Sequence, residues 1–218
     1  MVRRVFQEQI SELLEDLLGM GQMVADSIDQ AVKALAQQNV ELAQQVIAFD
    51  EEINEVQHDI DEKCLVLIAT QQPMAGDLRA ILSVSNIAAE LERIGDYAEG
   101  IAKLAIKLSA QPLLKPLIDI PRMAEEGRRM LMLSLEAFAQ QDPDTARGIG
   151  AADDVVDALY DQIYRELLIF MMEDPRKITQ ATYLLWVAHN LERIADRTTN
   201  IAERVIFMDS GRVVDLNR

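Results

Sequence analysis

The chain has 218 residues, half of them apolar, and its 37 acidic against 21 basic side chains give a net charge of −16. That sign repels nucleic-acid phosphates and anionic lipid, and the longest apolar runs, such as Leu167 to Met172, fall far short of the about 20 residues a membrane-spanning helix requires. Direct nucleic-acid binding and membrane insertion are thereby excluded, and a single cysteine, Cys64, with no secretory leader pattern at the start of the chain, reads as a cytoplasmic protein.

Proline in a helix interior costs about 3 kcal/mol, and all six prolines fall between long stretches of Ala, Leu, Gln and Glu. They delimit six helices, predicted near residues 3–37, 40–70, 74–109, 116–141, 143–172 and 175–208. Gly19 and Gly21 are expected to kink the first. Asn39 is placed to cap the second. Phe49, Ile53, Val56, Ile60 and Leu67 then form an apolar stripe at helical spacing, and Leu91, Ile94, Ala98, Ile101 and Ala105 form another on the third helix. Asp142 with Pro143, and Asp174 with Pro175, pair an N-cap carboxylate with a proline at the first helical position. Residues 209–218 read as a turn and a short tail. No strand alternation competes, so the fold class is all-α.

The two halves of the chain repeat one another. At an offset of 103, Gln37, Gln38, Asp50, Ile60 and Leu65 meet Gln140, Gln141, Asp153, Ile163 and Leu168. The third helices align at 100, where Ala88, Leu91, Glu92, Arg93, Ile94, Asp96, Ile101 and Ala102 recur as Ala188, Leu191, Glu192, Arg193, Ile194, Asp196, Ile201 and Ala202. The predicted architecture is two tandem three-helix bundles: a first repeat over 1–110, a linker over 111–121 with three prolines, a second repeat over 122–208 and a tail over 209–218.

Glu92 and Asp96, and Glu192 and Asp196, place two carboxylates four residues apart on one side of a helix. Like charges at that spacing oppose the helix by a few tenths of a kcal/mol, a cost that a bound cation reverses. The second helix of each repeat offers matching groups, Asp50, Asn54 and His58 in one and Asp153, Asp157 and Asp161 in the other. Facing helices so equipped form an oxygen-rich cluster suited to magnesium, manganese or iron. The alternative is that these acids are solvated helix edges; their retention in both copies favours the metal reading. His189, one turn before Glu192, either assists a metal or hydrogen-bonds at the helix edge. Glu55 and His58 have the spacing of a di-iron motif, but the counterparts Ala158 and Asp161 cannot complete one. The ten methionines, Tyr183 and Trp186 read as packing residues, and Cys64 as buried and inert. No phosphate-cradling glycine loop and no nucleophilic triad is visible.

The two copies of Leu-Glu-Arg-Ile-(Gly/Ala)-Asp, the run Gln71-Gln72-Pro73-Met-Ala-Gly-Asp77-Leu78-Arg79 and Asn200-Ile201-Ala202-Glu203 resemble the PhoU family over nearly the whole chain. The resemblance implies a cytoplasmic homodimer, not an enzyme, that couples a phosphate ABC transporter, through its ATPase and permease, to a sensor histidine kinase and suppresses the phosphate-starvation response. It also implies metal ions (iron, zinc, magnesium or manganese in different members) held by Asp50, Asn54, Glu92, Asp96, Asp153, Asp157, Glu192, Asp196 and Asn200. One departure stands out: Gly100 occupies the first-repeat counterpart of Asn200. Three rival readings stay open, namely a metal-dependent carboxylate-cluster enzyme, a helical scaffold without catalysis, and a relative serving another transporter.

Two expectations follow. With Gly100 lacking a side chain, the first site has three anions against four in the second, so the second is expected to bind cations more tightly. Residues 1–110 carry −11 and 111–218 carry −5, so a basic partner is expected to favour the first half.

Overall fold

The computed structural model describes residues 2–216; residue 1 and the end of the predicted tail, 217 and 218, lie outside the described residues. Six helices run in the predicted order: α1 (Val2–Gln37), α2 (Val40–Gln71), α3 (Gly76–Leu108), α4 (Asp119–Gln140), α5 (Pro143–Glu173) and α6 (Ile178–Ser210), the last preceded by a 3-10 turn over Pro175–Lys177. None of the helices is long and apolar enough to cross a membrane among the described residues.

Helix boundaries follow capping chemistry. Asn39 Oδ1 accepts the Leu42 amide at 3.1 Å, and Asp142 Oδ1 accepts those of Asp144 and Thr145 at 3.0 and 3.2 Å. Asp174 caps the 3-10 turn, not α6 itself. The turn that ends the first helix of each repeat is duplicated. Gln38 and Gln141 both adopt positive φ, 50° and 53°, where glycine is the usual occupant. A side chain is useful at Gln38: its amide donates to the carbonyls of Leu108 and Gln111 at 3.0 and 2.7 Å and ties the α1–α2 turn to the end of α3.

Each repeat is an up-down-up bundle, and the two pack through α3 against α6 and α1 against α4 around one continuous apolar core. Both pairs are antiparallel. Glu90 meets Asn200 and Gly100 meets Asn190 across α3–α6; Arg128 meets Asp29 across α1–α4. Small residues on the central helices, Ala88, Ala98 and Ala102 with Ala188, Ala195 and Ala202, are buried where the helices converge.

Three readings from sequence are corrected. Helix α1 is unbroken through Gly19 and Gly21. Gly21 serves close approach: a Cβ there would lie 2.2 Å from Cδ1 of the buried Leu135 on α4. Gly21→Leu is therefore expected to destabilise the fold by about 1–3 kcal/mol in chemical denaturation, overpacking outweighing the gain in helix propensity; an unchanged or raised midpoint would remove this role. Trp186 is 49% exposed, and Met74 and Met172 are exposed as well, so these do not fill the core. Cys64 is buried as predicted, and burial pushes its thiol up to about 12, which keeps it an unreactive thiol.

Candidate functional site

The first carboxylate cluster forms where α2 meets α3. Asp50, half-buried on α2, faces Gly95, and a Cβ at Gly95 would come within 3.3 Å of Asp50 Oδ1. The missing side chain lets the helices close around the carboxylate. Asn54 donates from Nδ2 to Asp50 Oδ2 at 3.3 Å, while Asp50 Oδ1 is sealed from solvent without a hydrogen-bond partner. Ligand atoms of Asp50, Asp96 and Glu99 all lie within 4.8 Å of one another, the one such set among the described residues. Burial first, then the charges of Glu99 and Asp96, holds the Asp50 carboxyl above its ordinary value. Burial and the neighbouring acids Asp96 and Asp50 raise Glu92 against the opposing pull of Arg93 and His58, and burial and Glu99 raise Asp96 against Lys103.

Glu99 escaped the sequence reading. It lies three residues after Asp96, on the same helix side, but its counterpart is Thr199, so comparison of the repeats hid it. With Glu99 counted, the first cluster offers four acids, Asp50, Glu92, Asp96 and Glu99, as many as the second, and of these Asp50, Asp96 and Glu99 bring their ligand atoms together. Gly100 faces the α3–α6 seam: a Cβ there would lie 2.8 Å from Asn190 Nδ2, so the Asn190 side chain would have to shift to admit one.

The second cluster joins Asp153 and Asp157 of α5 to Glu192 and Asp196 of α6. Asp153 is 8% exposed, and burial, followed by Asp157, Asp196, Glu192 and Asp154, pushes its carboxyl up to about 7. Burial and Asp196 raise Asp157, and burial and Asp196 raise Glu192 while His189 and Arg193 oppose. Glu192 Oε2 is sealed without a hydrogen bond; His189 Nδ1 stands 3.4 Å away as an ion-pair partner. Asp196 is engaged by Arg193. Asn200 lies elsewhere: its Nδ2 donates to Glu90 Oε2 at 3.2 Å, which holds it at the α3–α6 seam and leaves only its Oδ1 for a ligand.

Both clusters therefore carry an orphaned, sealed carboxylate oxygen amid mutually repelling acids. In the first cluster, where ligand atoms of Asp50, Asp96 and Glu99 converge, that donor set fits a hard divalent cation, which would satisfy the orphan oxygen and the crowded charge together; the ligand atoms of the second cluster stand further apart. His58 beside Glu92 and His189 beside Glu192 add a nitrogen donor suited to zinc or iron.

Fold and site together define an all-helical, internally duplicated protein with one carboxylate cluster in each repeat. A family model described as the PhoU domain matches residues 17–105 and 120–205. The chain is 43% identical over 211 residues to the phosphate-specific transport system accessory protein PhoU homolog of Aquifex aeolicus, covering 97% of this chain and 95% of that one. It is 39% identical to the Clostridium acetobutylicum homolog over the full length of both. The crystal structure of PhoU from Pseudomonas aeruginosa superposes with a TM-score of 0.90 at 38% identity, covering 95% of this chain and 100% of that one. That of the phosphate transport system regulatory protein PhoU from Streptococcus pneumoniae gives 0.89 at 33%, covering 96% and 99%. The chain belongs to the PhoU family.

Proposed function

We propose that this protein is a cytoplasmic regulator of phosphate transport, coupling a phosphate ABC transporter to its sensor histidine kinase and restraining the phosphate-starvation response when phosphate is plentiful. The carrying observation is end-to-end similarity, at 43% identity over 97% of the chain, to a protein named as an accessory of phosphate-specific transport. In this reading Asp50, Glu92, Asp96 and Glu99 hold one cation, and Asp153, Asp157, Glu192 and Asp196 another. A bound cation would supply charge neutralisation and fix α2 to α3 and α5 to α6. The residues around it bind and orient, and none is assigned a catalytic step.

Coupling to the transporter is tested by affinity purification of the tagged chain from membranes of its own cells in phosphate-rich medium. The expected result is recovery of the phosphate transporter's ATPase and permease, identified by mass spectrometry. Recovery of a different transporter would contradict the assignment.

A further inference from the structure

The seam between α1 and α2 holds an open groove. Two hollows of about 420 and 280 Å³ follow one another along it, and Asp59 and Lys63 border both, so they form one continuous surface. Leu13, Met20, Ile60 and Leu67 make a buried apolar floor, and Val66, 50% exposed, with the half-buried Met23 and Val56 makes apolar sides. Gly19 opens the second hollow further, since a Cβ there would meet nothing within 4 Å. No packing neighbour accounts for this glycine, which costs the helix about 1 kcal/mol relative to alanine.

The rim is acidic. Glu12, Glu15 and Asp16 of α1 and Asp59 and Glu62 of α2 surround a single base, Lys63, whose ammonium reaches across the seam to Asp16 at 2.6 Å. The hydrogen bond to Asp16, against burial and together with the charges of Asp16, Asp59 and Glu12, holds Lys63 above its ordinary value. Five acids and one base leave the rim at −4, and none of these acids belongs to either carboxylate cluster. The fold does not require that excess. At the offset of 103 the six positions hold Lys115, Ile118, Asp119, Gln162, Arg165 and Glu166, two acids and two bases, and Arg122 replaces Gly19. There Lys115 pairs with Glu166, and Gln162 donates to Asp119 at 3.2 Å. The same seam is thus neutral and cross-braced in one repeat and strongly negative in the other.

We propose that the α1–α2 groove is a docking site for a basic amphipathic helix of a protein partner. The apolar stripe of that helix covers Gly19, Met23, Val56 and Val66, and the lysines or arginines beside the stripe meet Glu12, Glu15, Asp59 and Glu62. Charge complementarity selects a basic occupant, because both helices bordering the groove carry acids beyond the one that Lys63 engages. The apolar floor selects a helix over a free polyamine or a metal ion, which would have nothing to place there. Length agrees: Gln9 to Met23 spans roughly 21 Å at about 1.5 Å per residue, about four helical turns of a partner. The −11 carried by residues 1–110 steers such a partner toward this half, and the groove decides where it stays. The inference goes beyond the phosphate assignment, and neither phosphate nor a bound cation enters its test.

The test is fluorescence anisotropy of labelled peptides about 18 residues long, titrated with the full chain. A Leu/Lys helical peptide with one apolar stripe is expected to bind saturably, and a Leu/Glu peptide of the same pattern and a scrambled Leu/Lys peptide at least about tenfold more weakly. Glu12→Gln/Asp59→Asn/Glu62→Gln is expected to weaken the striped peptide by about tenfold or more. Glu125→Gln/Glu136→Gln/Glu173→Gln removes the same charge from exposed positions of α4 and α5 and is expected to leave its affinity within about threefold. Gly19→Gln/Val66→Gln, which raises polar side chains from the groove, is expected to weaken it by about tenfold with helicity and Tm retained. No saturable binding, equal binding of the striped and scrambled peptides, equal loss in the two charge variants, or unchanged binding in the groove variant overturns the proposal. So does a wild-type dimer, seen by light scattering, that Gly19→Gln/Val66→Gln converts to monomer, which would assign the groove to a second copy.

Discussion

Asp50→Ala/Asp96→Ala is expected to abolish retention of one divalent cation per chain, and Asp153→Ala/Asp196→Ala to abolish the other, when metal content is read by elemental analysis after gel filtration. Each pair contributes from two helices, so its removal leaves no cluster that spans them. Glu99→Ala alone is expected to weaken the first site by about tenfold or more, because it removes a quarter of the anionic charge there. Equal charge counts place the two sites within about tenfold of each other in affinity. A wild-type protein that retains no cation would return these acids to the role of solvated helix edges. Retention unchanged by Glu99→Ala would restore the three-anion site expected from sequence.

Asp153→Asn is expected to raise the Tm of the cation-free protein at pH 7.5. The folded-state carboxyl titrates at about 7 against an ordinary value of 3.8. A raised folded value means that the proton is held more tightly in the folded state, so the stability it contributes is fully present below about 4 and is lost as pH rises through about 7. Wild-type stability should therefore fall from pH 5 to pH 7.5 in a chelator, and the substitution should flatten that fall. At this chain length about 1 kcal/mol corresponds to about 2–4 °C in Tm. Added divalent cation is expected to recover wild-type stability at pH 7.5 and to do less for Asp153→Asn. A substitution that lowered the Tm at pH 7.5 would show that Asp153 is stabilising as an anion and that the repulsion is not real.

Helices were legible because their signals are local. Asn39, Asp142 and Asp174 each cap the turn they precede, and the apolar stripes from Phe49 to Leu67 and from Leu91 to Ala105 need only helical periodicity. The facing acids of α2 with α3 and of α5 with α6 were legible because duplication repeats them. Three features were not. Glu99 joins the first cluster without a repeated partner, so the comparison that exposed Asp96 concealed it. Gly21 and Gly100 answer to side chains more than 85 residues away, Leu135 and Asn190, and periodicity carries no information about which helix lies opposite. Trp186 looked like core by residue type, but it stands on the outer side of α6, half-exposed although Leu184 and Val187 beside it are buried.

The central claim, that this chain restrains the phosphate-starvation response, is tested most directly by a transcriptional reporter for a phosphate-starvation gene in cells lacking the chain and grown in abundant phosphate. The expected result is high reporter expression that returns to the repressed level when the wild-type chain is supplied from a plasmid. Full repression by phosphate in the deleted strain, with or without the plasmid, would contradict the account.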